Sequence, residues 1–166
     1  MEAMTATGHE HEFVWPGAEG RCECGANVWA IQEVLDAAAD DARRVAGEAH
    51  YTGCRVRNES ENVELWLFDA PSRVLQELET IRPGVYVIHH DAPRSYAAVL
   101  ELMDTLRDDL LALSAEGINV VGFGPTHDGY LHVEVMGDVP TAQARLDSMF
   151  GSNVAQVDYG EPARAF

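Results

Sequence analysis

SYAAVLELMDTLRDDLLALSAEGINVVGFGPTHDGYLHVEVMGD (residues 95–138) passes from one hydrophobic period to another within a single run. Up to Glu116, the apolar residues Val99, Leu102, Met103, Leu106, Leu110 and Leu113 recur at helical spacing. Ser95 in front and Gly117 behind are residue types that start and stop helices. From Ile118 the period falls to two, so Ile118–Phe123 and Tyr130–Met136 read as strands. Between them, Thr126-His127-Asp128-Gly129 reads as a hairpin loop, because Asp-Gly supplies the positive φ that tight turns need.

The same reading extends both ways. Toward the N-terminus, Val85–His90 is an expected strand. A helix opened by Pro71 or Ser72 runs through Val74, Leu75, Leu78 and Ile81 and is closed by Arg82-Pro83-Gly84. Tyr51–Arg57 and Val63–Phe68 are expected strands on either side of a polar turn, residues 58–62. A first helix starts at Val28 behind Asn27 and should stop near Gly47. Toward the C-terminus, Thr141 is the expected cap of a helix with Ala142, Ala144, Leu146 and Phe150 inward and Gly151 at its end. Val154–Tyr159 is a last strand. The order from Val63 is β-α-β-α-β-β-α-β. It predicts an α+β fold, a ferredoxin-like sandwich with one long extra helix. The expected organisation is a Cys/His-rich segment (1–27), a linking helix (28–50), the α/β domain (51–160) and a tail (161–166). No internal repeat of fixed period stands out.

Charge narrows the function classes. The chain has 28 acidic and 11 basic residues, a formal net charge of −17, and every basic residue is Arg. Such a surface repels nucleic-acid phosphates and anionic membranes, so neither is an expected partner. The nearest approach to a basic patch, Arg43-Arg44 with Arg55 and Arg57, is ringed by acids. The first fifteen residues lack a basic stretch followed by an apolar run, and no segment has the ~20 apolar residues of a membrane span. The expected location is the cytoplasm, where the three cysteines stay reduced.

Four groups of residues carry candidate chemistry. His9-Glu10-His11 and Cys22-Glu23-Cys24 are two i, i+2 pairs. On two extended arms, each pair points to one face, so His9, His11, Cys22 and Cys24 suit one tetrahedral structural zinc. Cys54, inside a strand, reads as core. His89-His90-Asp91 lies at a strand end near Ser95, yet no G-x-S-x-G elbow is present. His127-Asp128 and His132 form a third group, one a turn and the other a strand position. Gly122-Phe123-Gly124-Pro125 lacks the G-K-[ST] of a phosphate loop. The fourth group is aromatic: Trp15, Trp29, Tyr130, Tyr159 and Phe166 suit a protein contact. Trp29 and Tyr159 read more readily as core, while Tyr159 and Phe166 near the last strand offer a site for strand addition.

The segments "SYAAVLELMDTLRDDLLALSAEGINVVGFGPTHDGYLHVEVMGD", "TAQARLDSMFG" and "VAQVDYGEP" resemble small actinobacterial and actinophage proteins of unknown function. They also resemble the propeptides of secreted alpha-lytic and streptogrisin-type proteases, over the last 70 residues or so. That resemblance implies a small α/β module that binds another protein by lending it a sheet. No protease domain is expected after this segment, so a propeptide role in cis is not expected. The expected function is a non-enzymatic protein-binding or regulatory module with a protein partner, able to join an oligomer or assembly. The alternatives are an accessory structural protein of a phage particle and a small metal-dependent hydrolase built on the N-terminal His/Cys group.

Overall fold

The computed structural model describes residues 27–161. Its elements are α1 (Val28–His50), β1 (Tyr51–Arg57), β2 (Asn62–Leu67), α2 (Ser72–Ile81), β3 (Tyr86–His89), α3 (Tyr96–Ala115), β4 (Asn119–Pro125), β5 (Leu131–Met136), α4 (Val139–Phe150) and β6 (Ala155–Tyr159). The fold is α+β, with the element order expected from Val63 onward. The strands, however, do not join in one ferredoxin-like sheet. They form two three-stranded sheets, β1-β2-β3 and β4-β5-β6.

Each sheet is one antiparallel hairpin plus one parallel strand: β1 with β2 and β4 with β5 are antiparallel, β2 with β3 and β5 with β6 parallel. The chain is thus the unit α-β-β-α-β written twice. Residues 62 and 131 open β2 and β5, and residues 86 and 155 open β3 and β6, the same interval both times. Even the irregularities correspond. A bulge lies between Tyr51 and Gly53 in β1 and between Val120 and Gly122 in β4. The repeat is one of topology, and the residues at matching positions have diverged.

The first unit packs α1 and α2 on one face of its sheet. Ala38 and Ala42 have no exposed surface, so the long α1 backbone comes close to Leu65, Leu67 and Val63. Asn27 caps α1 by accepting the Ala30 N–H at 3.3 Å. Gly47, at φ 65°, breaks the helical geometry at the expected residue, although the coil resumes to His50. The second unit packs α3 and α4 on the other sheet. Val99, Leu106 and Leu113, spaced two turns apart on α3, meet Val133 and Val135, with Leu102, Leu110 and Val120 partly buried around them. The helix α4 starts three residues earlier than expected. Pro140 fits the first turn, Asp138 is the N-cap, and the Thr141 hydroxyl donates to Asp138 Oδ2 at 2.6 Å. Ala144 faces outward, whereas Ala142 and Leu146 are buried. No helix among the described residues is long and apolar enough to cross a membrane.

Candidate functional site

Side chains alternate along a strand, so burial of Val63, Leu65 and Leu67 under the helices turns Glu64 and Trp66 to the opposite face of the first sheet. In the parallel register Trp66 stands beside His89 of β3. Their rings stack at 4.6 Å between centroids and 13° between planes. On the same indole, His127 sits edge-on at 4.3 Å and 63°. His127 comes from the β4–β5 hairpin tip of the second unit, so two histidines distant in sequence meet one tryptophan.

The hairpin tip is pinned at several points. Arg55 Nη2 lies 3.0 Å from His127 Nε2. Guanidinium only donates, so Nε2 is the acceptor and the imidazole proton sits on Nδ1. The buried Thr52 hydroxyl donates to the Arg94 carbonyl at 2.8 Å, and Arg94 Nη1 donates to the Gly129 carbonyl at 3.0 Å. A Cβ on Gly53 would stand 2.5 Å from the His127 carbonyl oxygen, so only glycine admits the loop this close. With its Nε2 engaged by Arg55, His127 is poorly placed as a general base. Ser95 Oγ accepts the Ala98 N–H as the cap of α3 and is nearly buried. His90 and Asp91 are exposed and outside this group. His89 Nε2 is covered and has no hydrogen-bond partner among the described residues. The cluster joins the two units through contacts of His127 with Trp66 and Arg55.

On the second sheet the matching face carries His132, Glu134 and Asp158. His132 Nε2 pairs with Asp158 Oδ2 at 3.1 Å across β5 and β6. Thus His132 does not join the His127 group. Among the described residues no group of three or more His, Cys, Asp or Glu side chains is arranged to hold a metal. His9, His11, Cys22 and Cys24 lie outside the described residues, as do Trp15 and Phe166. Cys54 packs at the edge of the first core, where its sulfur accepts the Tyr51 hydroxyl at 3.4 Å. Burial and that thiol push the Tyr51 phenol up from its ordinary value.

The remaining candidate surface is the end of β6. Tyr159 is 64% exposed and Trp29 55% exposed, so neither is the core residue its type suggests. Beside β6 runs a groove of about 560 Å³, walled by Tyr130, Gln143, Asp147, Asn153 and Asp158. Sequence reasoning passed over Gln143 and Trp66. A glutamine on a short helix and a tryptophan in an alternating strand match no motif, and their roles arise only from packing. Comparison of the chain with protein-family models, with curated proteins and with solved structures finds no match to any of them.

Proposed function

We propose that this chain is a non-enzymatic protein-binding module whose contact lies at the end of the last strand, at Tyr159 and Phe166. The observation that supports it is the position of Tyr159. It is a large aromatic ring, 64% exposed, on a strand that forms the edge of its sheet and borders a groove. Exposed aromatics beside a sheet edge supply both the anchor and the main-chain pairing that strand-adding partners use.

The test is a photo-crosslinking residue placed at position 159, with one at the exposed Leu111 on α3 as the comparison. A specific crosslinked protein from position 159 and none from 111 supports the reading. Its loss in a chain lacking residues 161–166 assigns part of the contact to Phe166. Gly160 must be kept, because it is buried and its N–H donates to the Val135 carbonyl at 3.0 Å. Equal labelling from 159 and 111, or from neither, overturns the reading.

A further inference from the structure

The outer edge of β6 is occupied in an unusual way. The Val154 carbonyl and the Gly160 N–H point inward and bond Leu131 and Val135 of β5. By alternation, the backbone groups of Ala155, Val157 and Tyr159 point away from the sheet. Two of these outward groups are held by one side chain. Gln143 Nε2 donates to the Ala155 carbonyl at 2.9 Å, and the Val157 N–H donates to Gln143 Oε1 at 3.1 Å. The second Nε2 hydrogen goes to Asp147 Oδ1, also at 2.9 Å.

This pattern has a direction. A residue in a parallel strand donates to the carbonyl one before, and accepts from the N–H one after, the residue it faces. Opposite Gln156, those groups are Ala155 C=O and Val157 N–H. The Gln143 carboxamide therefore makes the bonds of one residue of a parallel neighbour. Beyond it, the outward groups of Tyr159 carry no hydrogen bond among the described residues, and the groove runs beside the strand from Ala155 to Asp158. Its charged walls, Asp147 and Asp158, are both acidic, and no Arg among the described residues lines it.

Resting on the protein-binding reading above, we infer that β6 accepts an extended, basic segment of a partner as a fourth strand, parallel to β6, which displaces the Gln143 carboxamide. The incoming main chain takes over the Ala155 and Val157 bonds and continues to Tyr159. Its side chains alternate between the face of Asp158 and the face of Asp147, so Arg or Lys at every second position sets the cations beside one of these two carboxylates.

The probe is an eight-residue blocked peptide of alternating Arg and Thr, with its Glu/Thr counterpart, added to the full chain and followed by amide resonances. The Arg/Thr peptide should move the Val157 and Tyr159 amides, and the Glu/Thr peptide should not. Gln143→Ala should tighten binding by about threefold to tenfold, because two competing neutral hydrogen bonds no longer have to break. A spin label at the peptide's C-terminus should broaden Tyr159 more than Asn153. No response of β6, equal binding of the acidic peptide, an unchanged affinity in Gln143→Ala, or stronger broadening at Asn153 overturns the inference. So does a Gln143→Ala chain that gains oligomeric mass, which would make the occupant a second copy. A specific crosslink from position 159 with a silent β6 edge leaves the protein-binding reading standing and removes only the parallel strand.

Discussion

Arg55 and His127 lie 72 residues apart in sequence and 3.0 Å apart in space, and their contact joins the open face of one sheet to the hairpin of the other. The pair is partly exposed, so its worth is that of a modest charge-assisted bond, about 0.5–1.5 kcal/mol. A double-mutant cycle of Arg55→Ala and His127→Ala, read by chemical denaturation, should return a coupling in that range. A coupling of zero would mean that Trp66 and Gly53 seat the hairpin without the guanidinium.

Gly53→Ala should disturb the same junction from below. The new methyl would meet His127 backbone atoms at 2.5 to 2.9 Å, and a loop backbone cannot yield as a side-chain tip does. The expected loss is about 1–3 kcal/mol, the usual cost of overpacking. The tryptophan emission should shift to the red as His127 lifts from the Trp66 ring. Gly124→Ala, which meets nothing within 4 Å, is the matched comparison and should leave both readouts nearly unchanged.

Leu106 has no exposed surface and sits in the middle of the α3 stripe. Leu106→Ala should cost roughly 2–5 kcal/mol through lost burial and the cavity left behind. The exposed site at Leu111 should tolerate the same change within about 0.5 kcal/mol. Calorimetry on the two variants separates the helix's inner and outer faces.

Asp41 gives the acid limb of stability a defined direction. Hydrogen bonds from Arg44 and from Arg82 hold its carboxyl below the ordinary value of 3.8. A carboxyl lowered by folding stabilises the fold above its unfolded value, and that contribution fades as pH falls through 3.8 toward the folded value. Asp41→Asn should therefore melt below the natural chain at neutral pH, and the two melting temperatures should converge under acid. A constant gap between pH 7 and pH 2 would show that the carboxylate charge plays no part.

Much of the element structure was legible because the signals are local. Ser95 and Gly117 mark the ends of α3, and the alternation of Val63, Leu65 and Leu67, or of Leu131, Val133 and Val135, marks half-covered strands. The division into two sheets was not legible. Period two says that a strand has a covered face and says nothing of which strand lies beside it. The repeat leaves no mark in the sequence for a related reason. Trp66 and Glu134 both face the bulge glycine of the neighbouring strand, yet share no chemistry. At the sites, His89 and His127 stood out singly, but their meeting over Trp66 depends on how a distant hairpin docks. Gln143 carried no signal at all, since its role needs the edge of a strand that follows it in the chain.

The duplicated unit also bears on how the protein is made. Every strand of the first sheet finds its partners within residues 51–89, so that half can finish folding while the rest is still being translated. During that interval the Trp66 indole has His89 stacked on it but lacks its second histidine, and the notch at Gly53 is unfilled. Both contacts are completed when the later hairpin emerges and His127 arrives. The second half of the molecule thus acts as the cap for the first, and a stall in elongation before residue 127 would leave an adhesive intermediate in the cell.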